Sequence, residues 1–276
     1  MNKLLREITA RADASQVEGL SRFFKTGPGQ YGEGDKFLGI KVPVTRKVVK
    51  ACWRETTLPD LEECIASEYH EVRLAALLTL VEIFKHACKR TPATVATAAT
   101  PTAGAVAPAL APAAISRQAC VDFYLSHTDR INNWDLVDLS CYPLLGEWLL
   151  DKDRTLLYDL ARDGRTIWEQ RIGIVSTMTF IRHGQLADTF AIADILLHHS
   201  HDLIHKAVGW LLREAGKREK GALEKYLKGA DPTAAPAPSG SAAISRYLSM
   251  PRTMLRYAIE KFPEAERQEY LSGKVR

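Results

Sequence analysis

The chain has 276 residues, of which 46% are hydrophobic and 25% are charged, and its formal net charge is +4. This composition excludes a mainly disordered chain, and the length allows one large hydrophobic core or two smaller ones. The mildly basic balance permits a nucleic-acid partner without requiring one. No stretch approaches the ~20 apolar residues of a membrane span, and the N-terminus lacks a signal-peptide pattern. We therefore expect neither export nor membrane insertion.

The cysteines and histidines give no metal-binding pattern. The five cysteines contain no CxxC pair, so neither a zinc cluster nor a disulfide framework is indicated. His201 and His205 have the four-residue spacing of metal ligands, but no intervening glutamate of the zincin pattern and no third ligand accompanies them. We expect a reducing, cytoplasmic setting, no metal and no other cofactor.

A glycine-rich stretch, YGEGDKFLGIKV, precedes the first strongly basic helix. Its glycines would allow a ligand to approach the backbone closely, but their spacing is not a phosphate-binding fingerprint. The helix that follows, VPVTRKVVKACW, carries Arg46, Lys47 and Lys50. A solvated helix face explains such a run equally well.

Helical periodicity dominates the chain, and strand signals are nearly absent. Wide apolar stripes run through EVRLAALLTLVEIFKHA and RIGIVSTMTFIRHG, which is typical of helices buried on most sides. Breakers such as Pro43, Gly184 and Gly216 leave short connections between helices. We predict an all-α protein of about six antiparallel helix pairs, a HEAT-like helical-repeat solenoid that forms a single domain over residues 1–276.

Two stretches interrupt this pattern. Residues 91–114 are rich in alanine, threonine and proline, and residues 231–241 are similar. Prolines at this density prevent a continuous helix. We predict flexible insertions within one continuous helical array.

The stretch INNWDLVDLSC, residues 131–141, is dense in polar residues for an apolar helix. Asn133 is a good N-cap, and Trp134 and Asp138 lie four apart on one helix face. An aromatic plane beside a carboxylate suits a cation or a developing positive charge. The alternative is a capped helix with a core tryptophan and a salt-bridged aspartate, and Asp135 receives no role.

Two later helices carry further candidates. Arg171, in WEQR, stands at an apolar position where a charge needs either a ligand or a carboxylate partner. In HDLIHKAVGWLLREAGK, Asp202 is the predicted helix cap, and Lys206 and Trp210 share a face. A tryptophan in such a helix is more often part of the core than of a site.

Basic residues recur on the predicted second helices of successive pairs. In a solenoid these helices line one concave face, so the pattern predicts a concave basic groove that suits a polyanion. The predicted DNA-contacting residues are Arg46, Lys47, Lys50, Arg73, Lys206, Arg213, Lys217 and Arg252.

Five blocks resemble one known family. INNWDLVD, YGEGDKFLGIKVP, WEQRIGIVST, HDLIHKAVGWLLRE and MPRTMLRYAIEKFP are similar, in this order, to the AlkD-like branch of the DNA alkylation repair family, which consists of HEAT-like DNA glycosylases. The resemblance extends from about residue 20 to about residue 270. Gln170 departs from the family pattern, because a basic residue is expected there.

The resemblance implies a function and a site. The family excises positively charged N3- and N7-alkylated purines from duplex DNA, without flipping the base out of the helix. Its catalytic residues correspond to Trp134, Asp138, Arg171 and Trp210. The expected partner is double-stranded DNA with alkylated bases, and the protein is expected to be a monomer. Two alternatives stay open: a non-catalytic relative that binds DNA structures, and a helical-repeat scaffold for an acidic protein.

Overall fold

The computed structural model describes residues 2–87, 115–229 and 245–275. Within these ranges the regular structure is helical, and the isolated bridge between Lys36 and Tyr69 belongs to no strand. The all-α prediction is therefore confirmed for the described residues. The predicted insertions at 91–114 and 231–241 lie outside them. None of the described helices is long and apolar enough to cross a lipid bilayer.

The chain divides into two compact units, residues 1–140 and residues 141–276. The HEAT-like solenoid and its concave groove are not tested by this division. The single-domain organisation also stays a prediction.

The α-helices of the first unit include one long central helix, α5. They are α1 (Lys3–Thr9), α2 (Ala14–Phe23), α3 (Val42–Cys52), α4 (Leu58–Ile65), α5 (His70–His86), α6 (Arg117–Ser126) and α7 (Trp134–Cys141). Helix α5 contacts α1, α3, α4 and α6. Its buried side chains occur on every face, as the wide apolar stripe predicted. A polar residue on such a helix is therefore forced to find a partner inside the protein.

The second unit is built around α9 and α12. Its helices are α8 (Thr155–Asp163), α9 (Ile167–Val175), α10 (Met178–Arg182), α11 (Ala187–Ile195), α12 (Asp202–Arg218), α13 (Lys220–Leu227), α14 (Arg246–Ser249), α15 (Arg252–Ala258) and α16 (Glu264–Ser272). Helix α12 packs on α9, α10, α11, α13 and α15.

Two local predictions for α12 are wrong. The N-cap is His201, whose side chain accepts from the backbone N–H of Leu203, while Asp202 is the first helical residue and pairs with Lys206 at 2.8 Å. Gly216 lies inside α12 and does not end it. A Cβ atom at this position would collide with the side chain of Leu223, so the glycine permits close packing of α13.

Candidate active site

The start of α7 places Trp134 and Asp138 together. The helix begins at Trp134, directly after Asn133, as predicted. The Asn133 backbone carbonyl accepts from the N–H of Val137, and its side-chain oxygen accepts from the N–H of Trp134 at 2.9 Å. Trp134 and Asp138 are both half-buried, and both line one cavity of about 410 Å³. The predicted common face of this aromatic ring and this carboxylate is thus present.

Aromatic rings form much of the cavity wall. The ring of Trp134 lies 5.5 Å from that of Phe24 in a stacked arrangement and 5.8 Å from that of Phe23 in an edge-on arrangement. Phe24 in turn stacks on Phe37 at 5.1 Å. Phe23 is 60% exposed, which is unusual for such a large apolar side chain. Negative ring faces beside the Asp138 carboxylate favour a positively charged or developing cationic group in this cavity.

A buried polar cluster lies beneath these rings. His70, at the start of α5, is 1% exposed and contacts two carboxylates: its Nδ1 lies 2.8 Å from Asp35 Oδ2, and its Nε2 lies 2.9 Å from Asp135 Oδ2. The guanidinium of Arg73 donates to Asp35 Oδ1 at 2.5 Å and to Asn132 Oδ1 at 2.9 Å. We call Asp35, His70, Arg73 and Asp135 the buried ion cluster. Its formal charges cancel when His70 is protonated.

The cluster sets the protonation of its own members. Burial alone would lower the pKa of His70, but the hydrogen bonds to Asp135 and Asp35, and the charges of these carboxylates, raise that pKa to about 9. Burial would likewise raise the pKa of Asp35, but the hydrogen bond with His70 and the charge of Arg73 hold it below its usual value. Each partner thus stabilises the charged form of the other.

Glu71 anchors the loop that forms another part of the wall. Its buried carboxylate accepts backbone N–H groups from Leu38, Gly39 and Ile40, each at 2.9 Å. Gly39 has φ of +86°, and a Cβ atom there would collide with the backbone of Asp13. This loop conformation requires both the glycine and the carboxylate, since a side chain at residue 39 has no space.

Of the predicted DNA-contacting residues in the first unit, the three on α3 are available to solvent. Arg46, Lys47 and Lys50 are exposed and form no ion pair within the described part of the chain. Residues 41–43, at the start of the same helix, line the aromatic cavity. Arg73 differs, because it is 3% exposed and bound to Asp35. The burial assigns Arg73 to the buried ion cluster instead of a DNA-contacting surface.

The other two predicted catalytic residues lie in the second unit. Arg171, on α9, is buried and donates to the backbone carbonyl of Leu203 at 2.6 Å. Trp210, on α12, is half-buried and lines a cavity of about 360 Å³ with Arg182, Lys217 and Arg218 among its neighbours. Trp134 and Asp138 are thus brought together in the first unit. The combination of all four residues into one site stays a prediction.

The predicted basic residues of the second unit have intramolecular partners. Lys206 pairs with Asp202, Arg213 with Glu214 and Glu260, and Lys217 with Glu214, while Arg252 donates to the carbonyl of Leu271. The Lys206–Asp202 pair is exposed, and exposed ion pairs contribute about 0–1 kcal/mol, so this pair opens at low cost when a phosphate competes for the cation. Their role in DNA binding stays a prediction.

Sequence reasoning missed several residues of the first unit. His70, Glu71, Asp35 and the three phenylalanines of the cavity were not among the candidates, and Asp135 had no role. A usable signal was present in HEVR at the start of α5, where three ionisable residues precede a long apolar run. Such residues are buried only with partners, so the motif indicates a polar cluster without revealing its members.

Comparison with known proteins identifies a family and a similar solved structure. A family model described as "DNA alkylation repair enzyme" matches residues 4–262. Among solved structures, a "Predicted DNA alkylation repair enzyme from Enterococcus faecalis" is similar over 91% of this chain and 97% of its own, with a TM-score of 0.60 and 12% sequence identity. At this identity the likeness concerns the fold alone. A search of curated proteins found no match.

Proposed function

The chain belongs to the DNA alkylation repair enzyme family, and on this premise we propose that it is a DNA glycosylase that excises cationic N3- and N7-alkylated purines from duplex DNA. The observation that carries the proposal is the cavity of the first unit, in which the single half-buried carboxylate of Asp138 stands beside Trp134 and further aromatic rings. The other carboxylates of the cavity, Glu71 and Asp135, are buried and engaged in hydrogen bonds.

The chemistry of a cationic lesion explains why one carboxylate is sufficient. A glycosidase ordinarily uses two carboxyl groups, one of which protonates the leaving group. An N3- or N7-alkylated purine already carries a positive charge, and it departs as a neutral base when the glycosidic bond breaks. No general acid is needed for this step. The remaining requirement is stabilisation of the positive charge that develops on the deoxyribose.

Asp138 and Trp134 supply this stabilisation in the proposed mechanism. The Asp138 carboxylate interacts with the oxocarbenium-like sugar and orients the attacking water, while the face of Trp134 packs on the deoxyribose and favours its positive charge. In other enzymes, groups of this kind each lower the activation free energy by about 3–4 kcal/mol. The carboxylate is needed only in the transition state, so its loss lowers the rate more than the affinity.

Arg171 and Trp210 receive their proposed roles from the family resemblance. Arg171 holds a phosphate next to the lesion, and Trp210 packs on a deoxyribose. We also propose that the lesion stays stacked in the duplex, because the resembling enzymes grip the backbone around it. Arg46, Lys47 and Lys50 supply phosphate contacts from the first unit.

The test is release of N7-methylguanine from a duplex oligonucleotide with one such base, incubated with excess purified protein. Wild-type protein should release the base in a single first-order phase, and Asp138→Asn should release it at a rate lower by about 100-fold or more. Asp122→Asn is the matched control, since Asp122 is an exposed carboxylate on α6 that contacts Gln118. No release despite DNA binding would instead favour a DNA-structure-binding protein. Absence of both would favour the scaffold alternative.

A further inference from the structure

The two hydrogen bonds of His70 favour its protonated form. A neutral imidazole carries one N–H and one lone pair, so it cannot donate to carboxylates on both sides. His70 contacts Asp35 at 2.8 Å through Nδ1 and Asp135 at 2.9 Å through Nε2. Asp35 also accepts from Arg73, which keeps that carboxylate ionised. The geometry is therefore satisfied by an imidazolium that donates to both sides.

The imidazolium connects three segments that form the cavity. Asp35 lies on the loop between α2 and α3, His70 begins α5, and Asp135 is in the first turn of α7. Asp135 directly follows Trp134 and precedes Asp138 by three residues, so it is fixed to the helical turn that presents both. The contact of His70 with Asp135 consequently fixes the position of this turn against the loop.

Ring contacts reinforce the same connection. The His70 ring lies 4.8 Å from the ring of Phe24 and 4.7 Å from that of Phe37, nearly parallel to the latter. Phe24 is also the ring that stacks on Trp134. A protonated imidazole favours these contacts because its charge lies over negative ring faces. Loss of the proton therefore leaves one of the two carboxylate contacts without a donor and weakens the ring contacts, so the connection between the loop and α7 loosens.

The other charged groups near His70 are already engaged. Asp35 faces it from the loop, Asp135 from α7, and Arg73 lies one turn further along α5 and neutralises Asp35. Glu71, the next residue of α5, directs its carboxylate to the backbone N–H groups of the loop. Within the cluster, His70 is the group whose pKa is raised into the alkaline range, to about 9.

We propose that protonated His70 is a positioning residue for excision, which holds the Trp134–Asp138 turn of α7 in its reactive place through Asp135. This inference rests on the proposed glycosylase function. The excision rate should therefore fall at alkaline pH as His70 loses its proton. His70 is buried and would affect the rate through Asp135 instead of by contact with the DNA. An alkaline midpoint is expected because Asp135 and Asp35 raise the pKa of His70 to about 9 against the opposing effect of burial.

The protonation state is measured first, on the full-length wild-type protein labelled with ¹⁵N-histidine. The ring nitrogens of His70 should retain the chemical shifts of an imidazolium at pH 8. In the Asp135→Asn variant, the change to the shifts of a neutral imidazole should occur at a lower pH than in the wild type. His70→Gln identifies the resonances by their disappearance. A His70 resonance that is neutral at pH 7.5 would overturn the proposal, whether or not the protein excises bases.

The functional consequence is measured by single-turnover excision of N7-methylguanine between pH 7 and 9.5, with enzyme-free DNA as the background at each pH. The wild-type rate should fall with the same midpoint as the His70 resonance. Asp135→Asn should move that midpoint to lower pH and reduce the plateau about 10- to 100-fold. Asp122→Asn should leave the profile unchanged.

DNA affinity, measured over the same pH range, separates positioning from binding. It should stay nearly constant while the rate falls. An imidazolium that titrates without any change in rate would overturn the positioning role while leaving the glycosylase function intact. Absence of excision at every pH would refute the proposed function and, with it, the role of His70 in excision. The resonances would still establish how His70 is protonated.

Discussion

Replacement of Glu71 by glutamine tests the loop that forms the cavity wall. The carboxylate accepts three backbone N–H groups, one through Oε2 from Leu38 and two through Oε1 from Gly39 and Ile40. Glutamine keeps one acceptor oxygen but presents an NH₂ group in place of the other. When the retained oxygen accepts the N–H groups of Gly39 and Ile40, the N–H of Leu38 faces the NH₂ group of the glutamine, which is also a donor.

The magnitude follows from these bonds. The lost bond to a charged acceptor costs about 1.5–3 kcal/mol, and each of the two others loses about 1 kcal/mol on becoming neutral. We therefore expect Glu71→Gln to reduce the free energy of unfolding by about 3.5–5 kcal/mol, a large part of the 5–15 kcal/mol typical of a domain. Urea unfolding followed by circular dichroism measures this difference through the midpoint and slope of the transition.

Glu82→Gln is the control on the same helix. The Glu82 side chain is 30% exposed and pairs with Lys85, so its replacement should cost less than about 1 kcal/mol. Excision by Glu71→Gln, assayed where the variant is fully folded, should also be slower, because the loop supplies Phe37 to the aromatic wall. A cost below about 1 kcal/mol for Glu71→Gln would refute the assignment of this carboxylate as the anchor of the loop.

Three further predictions concern charge. Asp138→Asn should lower the single-turnover excision rate about 100-fold or more while DNA affinity, measured by fluorescence anisotropy, changes little; an equal loss of affinity would contradict its transition-state role. Lys47→Ala and Lys50→Ala should each reduce the slope of log affinity against log salt by about 1, and an unchanged slope would place that lysine away from the phosphates. The folded protein binds the His70 proton more tightly than the unfolded chain, so its contribution to stability, about 3 kcal/mol, is full below pH 6.5 and is lost as pH rises through about 9. Thermal unfolding between pH 6 and 10 should show this loss in wild-type protein and not in His70→Gln, and parallel curves for the two would contradict it.

Local patterns predicted the helices and one part of the candidate site. The apolar periodicity around α5 and the polar start of α7 are properties of short stretches, and both helices form where the sequence indicated. The four-residue spacing of Trp134 and Asp138 was sufficient to put them on one face. Their common face follows from helix geometry, which depends on neighbouring residues alone, whereas the other walls of the cavity come from distant segments.

The buried ion cluster depends on contacts between distant parts of the chain. His70 meets Asp35 and Asp135, which are 35 and 65 residues away in sequence. No local pattern specifies such partners. Arg73 was predicted to contact DNA because basic residues recur on the predicted second helices, and that pattern does not show which of them have partners inside the protein. The all-round burial of α5 turns a basic residue of ordinary appearance into part of the interior.

The two errors in α12 have different physical causes, one local and one between helices. Asp and His both supply an acceptor at a helix start, and the side chain of His201 forms the cap one residue earlier than expected. Gly216 carries a conformational cost of about 1 kcal/mol within a helix, which favours its use as a terminator. Here the close approach of Leu223 outweighs this cost, and only a contact between helices makes that visible.

The most direct test of the mechanism compares a cationic lesion with a neutral one of the same shape. Duplexes with N7-methylguanine or with 7-deaza-7-methylguanine, whose base carries no positive charge, are incubated with excess wild-type protein, and the released bases are measured by mass spectrometry. The account predicts release of N7-methylguanine and no release of the deaza base above the enzyme-free background, because no residue is assigned to protonate a neutral leaving group. Equal release of both bases would contradict the single-carboxylate mechanism of Asp138.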